Sequence, residues 1–189
     1  MKYARDCKPS LSNEQTAQLL FEALPWIKNL TGKTVVIKYG GAAMVDERLR
    51  ADVMGDIVLL KIMGMKPVIV HGGGKDINAA LKRYDIPVEF RRGQRVTSED
   101  AMEVVRQVLV GKVNEQLVSA VNRHGNLAVG VSGADAGTIV ARQMAPELGR
   151  VGNIERINAD FLASLIDNAR HQGQVELKEI FWRRVMDVN

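Results

Sequence analysis

A single cysteine, Cys7, stands among 189 residues. No disulfide can close within the chain, and a lone thiol in a polar leader suits a reducing compartment. Long apolar runs are missing too. The longest, residues 57 to 65, is interrupted by Lys61 and Gly64, far short of the roughly 20 residues a membrane-spanning helix needs. The first ten residues hold Lys2, Arg5, Asp6 and Lys8 with no apolar stretch behind them, so neither a secretory signal nor a membrane partner is expected, and the expected compartment is cytoplasmic. Aromatic residues make up only 5% and no basic stripe is interleaved with them, so no nucleic acid partner is expected. No His/Cys cluster has metal-ligand spacing, so no metal site is expected. Internal repeats and low-complexity segments are absent as well.

What is present is ordinary for a globular domain: 46% hydrophobic and 25% charged residues, in a chain long enough to bury roughly two-thirds of its unfolded surface. Lys and Arg total 26 against 22 Asp and Glu, a formal charge of +4, and the basic residues are scattered. That balance suits small anionic ligands.

Residues 12 to 29 read as a helix, with Ser12 and Gln15 at capping-box spacing and Ala17, Leu20, Phe21 and Leu24 on one stripe. Pro25 removes a backbone donor and predicts an end or kink there. The apolar stripe could pack on its own domain or on another subunit. The β-branched run 34–37 then reads as a buried strand ending in Lys38-Tyr39-Gly40-Gly41, and residues 46 to 64 return to helical spacing on Leu49, Val53, Ile57 and Leu60. A second strand, 67–70, ends in His71-Gly72-Gly73-Gly74. A short helix over 76–84 and a β-hairpin over 88–97, centred on Gly93 and projecting Arg91, Arg92 and Arg95, come next. Thr97 and Asp100 have capping-box spacing before a long helix to about residue 123, with Met102, Val105, Leu109, Val113, Leu117 and Val121 inward. Strands are expected over 127–131, 138–142 and 151–157, a helix from about 158, and a charged, roughly helical stretch over 175–188. Strand, glycine turn and helix in alternation predict an α/β fold: a mostly parallel open sheet with helices on both faces, carrying the hairpin and a kinked N-terminal helix.

In such folds ligands sit beyond the carboxyl ends of the strands, where both glycine clusters fall. Gly72-Gly73-Gly74 has no Cβ atoms to hold an anion away from its N–H groups at the start of a helix; a tight connection would also use such glycines. Neither cluster reads G-x-G-x-x-G, and no P-loop sequence occurs. Phosphoryl transfer asks mainly for alignment and cations, and Lys38 at a strand end could supply one charge or could be a solvated lysine. Arg91, Arg92 and Arg95 are equivalent by spacing as a fork for a carboxylate. His71 reads more readily as a structural hydrogen-bonding group, and Asp135 as a turn residue, than as chemistry.

Taken together, Val36-Ile37-Lys38-Tyr39-Gly40-Gly41-Ala42-Ala43-Met44, Val70-His71-Gly72-Gly73-Gly74, Gly93-Gln94-Arg95-Val96-Thr97, Val110-Gly111-Lys112-Val113-Asn114 and Leu148-Gly149-Arg150-Val151-Gly152 resemble the N-acetyl-L-glutamate kinases, within the amino acid kinases. The resemblance runs in order over residues 14 to 168. It implies ATP-dependent phosphorylation of the γ-carboxylate of N-acetyl-L-glutamate in arginine biosynthesis, with ATP and Mg as cosubstrate. It further implies that Lys38 stabilises the transferring phosphoryl group, that Gly40, Gly41 and Gly72 form the phosphate loop, that Gly73 and Gly74 contact acetylglutamate, and that Arg95 grips its α-carboxylate. Leu24-Pro25-Trp26 resembles the kinked helix through which arginine-inhibited members interlace, implying a homo-oligomer.

The pattern also departs from the family. The N-x-N-A-D sequence that carries a substrate-binding Asn and catalytic Asp, and the nucleotide lobe with a second lysine, have no counterpart here; Ile157-Asn158-Ala159-Asp160 imitates the former in the wrong context, so neither Asn158 nor Asp160 is assigned to catalysis. Three regions are expected: a leader and oligomerisation helix over 1–30, an acetylglutamate-binding lobe over 31–168, and a divergent tail over 169–189. The reading is an acetylglutamate kinase-like chain, incomplete before its ATP lobe and impaired in catalysis alone. The rival reading is a non-catalytic substrate-binding or assembly module that joins full-length subunits.

Overall fold

The computed structural model describes residues 11–44 and 46–168. Cys7, the leader before residue 11, and the helix expected over 175–188 lie outside the described residues.

The first helix, α1 (Asn13–Leu30), opens on the predicted capping box: Ser12 Oγ accepts from Gln15 N at 3.2 Å, and Gln15 Oε1 accepts from Ser12 N at 2.8 Å. It does not end at Pro25 but continues to Leu30. The proline leaves the Phe21 carbonyl without its helical donor, and Phe21 is 74% exposed, so water can serve that carbonyl. No residue of α1 is buried.

Strands β1 (Thr34–Tyr39) and β2 (Lys66–His71) pair in parallel, in register from Thr34 opposite Lys66 to Tyr39 opposite His71. The crossover between them contains a 3₁₀ turn (Gly41–Met44) and helix α2 (Glu47–Ile62), whose N-cap Asp46 accepts from Arg48 N at 2.8 Å and Leu49 N at 3.0 Å. Gly64, at φ +87°, turns the chain into β2. Along β1 the side chains alternate, Tyr39 going to the core and Val36 and Lys38 to an exposed face.

Helix α3 (Gly74–Arg83) follows, then the hairpin of β3 (Phe90–Arg91) and β4 (Gln94–Arg95). Its two-residue loop, Arg92-Gly93, has φ of +48° and +78°, the signs a type I′ turn needs. The long helix is α4 (Glu99–Arg106), a π-helical segment (Gln107–Asn114) and α5 (Glu115–Asn122) in succession. Its N-cap is Ser98 rather than Thr97: Ser98 Oγ accepts from Ala101 N at 3.2 Å, while Thr97 is completely buried and donates from Oγ1 to Arg95 O at 3.1 Å. The π segment has a reason in the sequence. An α-helix turns about 100° per residue, so each four-residue step drifts by about 40°; Val105, Leu109, Val113, Leu117 and Val121 are all buried at that spacing, and the wider π turns wind the stripe back. These residues join Ile69, Ile77, Leu81, Met54, Ile57 and Val58 in one core.

Residues 127–131 form no strand ladder, contrary to the sequence expectation. A side chain has taken their backbone groups: Asn122 Oδ1 accepts from Leu127 N and Ala128 N at 2.9 and 2.8 Å, and its Nδ2 donates to Ala128 O at 3.2 Å. The later strands, β5 (Ile139–Gln143) and β6 (Gly152–Ile157), pair with each other, antiparallel and with a bulge at Val140/Ala141, before helix α6 (Ala159–Asn168). The architecture is α/β, with a parallel pair at its centre and no closed barrel.

Candidate functional site

Parallel pairing brings both glycine clusters to one edge. Tyr39 lies opposite His71, and Gly72 N donates to Tyr39 O at 3.1 Å, so Gly40-Gly41 and Gly72-Gly73-Gly74 leave neighbouring strands side by side. At Gly40, Gly41, Gly72 and Gly74 a Cβ would meet nothing within 4 Å; the space over those backbones is open. Gly41 sits at φ +68°, a conformation that favours glycine. Gly73 is the N-cap of α3 and offers no side chain to the helix's first amides. Those amides and the positive end of the helix dipole face the open edge, which is where an anionic group is best received. From below, the turn rests on the π segment: a Cβ on Gly73 would come within 2.7 Å of Leu109 Cδ2 and 3.5 Å of Val113 Cγ2.

Lys38 is exposed, one residue before the end of β1 and on the sheet face opposite Tyr39. Tyr39 is buried, and burial pushes its phenol above the ordinary value; the adjacent Arg50, which also hydrogen-bonds it, pulls partly the other way. Arg50 reaches further: its Nη2 donates to Met44 O at 2.7 Å, holding the turn that follows Gly40-Gly41. His71 is buried, and its Nδ1 lies 2.9 Å from Gly72 O; a carbonyl only accepts, so Nδ1 carries the proton in that contact. That is a structural use of the imidazole.

The hairpin separates the three arginines that spacing leaves equivalent. Arg91 is exposed and paired to Glu89 at 2.6 Å, and Arg92 lies in the exposed turn. Arg95 is buried. Its Nη2 donates to Asn78 Oδ1 at 2.5 Å, and its guanidinium stands 4.7 Å from the Phe90 ring centroid. Asn78 is one turn into α3, so Arg95 is tied to the helix that springs from Gly73-Gly74. Sequence reasoning missed Asn78, since only the fold brings it beside β4. Behind Arg95, Thr97 N donates to Leu148 O at 3.0 Å and Arg150 N to Thr97 O at 2.7 Å. Gly149 makes that close approach possible: a Cβ there would be 2.2 Å from Thr97 O. Asp135 serves a turn, accepting from Ser132 N at 2.6 Å. Lys112 and Asp76, 2.7 Å apart, join the π segment to the first turn of α3, an exposed pair contributing roughly 0–1 kcal/mol. Among the described residues, no group of three His, Cys, Asp or Glu side chains comes together as a metal site, and no helix is long and apolar enough to cross a membrane.

A parallel βαβ unit thus carries two glycine turns on one edge, a lysine near the first strand's end and a buried arginine anchored to the helix that follows the second strand. The chain belongs to the amino acid kinase family, whose model matches residues 33–175. It is 52% identical over 161 residues to the acetylglutamate kinase of Streptomyces avermitilis, a match covering 82% of this chain and 53% of that protein. It is 48% identical over 158 residues to the chloroplastic acetylglutamate kinase of Arabidopsis thaliana, covering 82% and 46%. Among solved structures, smu.665 from Streptococcus mutans superposes with a TM-score of 0.67 at 26% identity, over 79% of this chain and 58% of that one. The chain thus spans about half the length of the curated relatives it matches.

Proposed function

We propose that this chain is the acceptor-binding half of an acetylglutamate kinase, taking N-acetyl-L-glutamate at the edge formed by Gly72-Gly73-Gly74 and Arg95. The observation that carries the reading is the buried Arg95, hydrogen-bonded through Asn78 to the very helix whose first residue, Gly74, leaves open backbone. A planar fork held there suits an α-carboxylate, and the amides of Gly73 and Gly74 suit the rest of the acceptor. In the reaction, a γ-carboxylate oxygen bonds to the γ-phosphorus of Mg-ATP as the bond to the ADP oxygen breaks. Lys38 neutralises the transferring group, and Gly40, Gly41 and Gly72 line its path. These residues supply the acceptor side of that transfer. The proposed compartment is the cytoplasm, and the proposed division places the acceptor lobe over 31–168 with an assembly helix before it.

Calorimetric titration with N-acetyl-L-glutamate and, separately, with Mg-ATP tests this. Acetylglutamate is expected to bind. Arg95→Lys, which keeps the charge and loses the fork, is expected to weaken binding about tenfold or more, in line with one charge-assisted pair. A folded chain that takes up no acetylglutamate overturns the assignment.

A second reading, an assembly module, is favoured by one observation: among the described residues, none of α1 is buried, and Phe21 and Trp26 on it stand exposed. A homo-oligomer through that helix is compatible with acceptor binding and is proposed alongside it.

A further inference from the structure

Asn114 ends the π segment and is 8% exposed. Its Oδ1 is enclosed with no hydrogen-bond donor in reach, a condition that calls for an explanation in a folded chain. What faces the amide is the backbone of Gly130. A Cβ on Gly130 would lie 2.0 Å from Oδ1 and 2.6 Å from both Cγ and Nδ2. Glycine carries only a hydrogen along that direction, so the Asn114 amide packs directly on the Gly130 backbone and no side chain fits between them. One residue earlier on the same turn, Val113 lies under Gly73 together with Leu109. The π segment is therefore gripped between two glycine backbones, that of the turn opening α3 and that of the 127–131 segment.

We propose that Asn114 is a positioning residue: its amide, wedged against Gly130, sets the rotation of the π segment, and Leu109 and Val113 transmit that rotation to the height of Gly73-Gly74. A ladder-free 127–131 segment gives this wedge its importance, because no strand pairing holds Gly130 at that depth. The effect on acetylglutamate affinity rests on the function proposed above; the mechanical link between Asn114 and the glycine turn does not.

The test uses the full chain with Asn114→Ala, Gly130→Ala and the double variant, read by amide hydrogen exchange and by acetylglutamate titration. In each single variant the amides of Gly72, which donates to Tyr39 O, and of Ile77, which donates to Gly73 O, are expected to exchange about tenfold faster, while those of the β5–β6 pair keep their rates. Acetylglutamate affinity is expected to fall alongside. In the double variant the methyl on residue 130 occupies space vacated by the amide, so both readouts recover most of the loss. Unchanged exchange at Gly72 and Ile77 in a folded Asn114→Ala chain overturns the proposal, as does a double variant no better than Asn114→Ala alone. Should Gly130→Ala fail to fold, the other two variants still decide it. A wild-type chain that binds no acetylglutamate refutes the assigned substrate, whereas the exchange rates judge Asn114 independently.

Discussion

Burial and charge act on single side chains at this site in ways that can be titrated. Tyr39 is held neutral in the core, its phenol raised by burial against the partial pull of Arg50. A raised folded value means that the folded state keeps its proton where the unfolded chain, ionising near 10.0, has lost it. The resulting stability is fully present below the unfolded value and is lost as pH rises towards and through the folded one. Urea midpoints of the wild type are therefore expected to fall above pH 10, and Tyr39→Phe is expected to flatten that decline; parallel curves for the two chains would disprove it. The three hairpin arginines show where reading by residue runs out. Arg91, Arg92 and Arg95 carry the same charge within five positions, and only the packing of β4 against α3 makes Arg95 the buried one.

At the scale of elements, local signals read correctly where one residue's chemistry is enough. The Ser12 capping box and the hairpin centred on Gly93, whose φ is +78°, both act within a few positions. The long helix was legible as an inward stripe, but its unbroken four-residue spacing was also the mark of a π segment. Thr97 misleads as a cap because its hydroxyl turns back to the Arg95 carbonyl while its backbone N–H and C=O bond across the fold to the Leu148-Gly149-Arg150 turn. That turn is open to a direct check. Gly149 combines φ +67° with a Cβ position 2.2 Å from Thr97 O, so Gly149→Ala is expected to cost more than about 1 kcal/mol in denaturant unfolding, the backbone carbonyl having nowhere to retreat. A loss below that value would mean the two segments part easily.

At the scale of the molecule, the two most exposed large apolar side chains among the described residues, Phe21 and Trp26 at 74% and 72%, lie on α1, with Leu20 at 60%. Contiguous apolar faces of this kind mark interaction sites. Light scattering is expected to find an oligomer that Phe21→Asp with Trp26→Ser reduces to a monomer. Since no residue of α1 is buried in the chain, monomer stability should shift by no more than about 0.5 kcal/mol per position. A monomeric wild type at micromolar concentration would dismiss the interface.

The sequence by itself determined the alternation of strand, glycine turn and helix, the common edge of the two glycine clusters and the kinase resemblance, because hydrophobic period and glycine placement are local and parallel crossovers have one hand. Tertiary structure alone decided which arginine is buried, that α1 runs through Pro25 with none of its residues buried, that Leu127 and Ala128 give their amides to Asn122 instead of a neighbouring strand, and that Asn114 meets Gly130. Each of these depends on contacts between residues distant in sequence or on solvent reaching a backbone group, and neither is written in the spacing of residues along the chain.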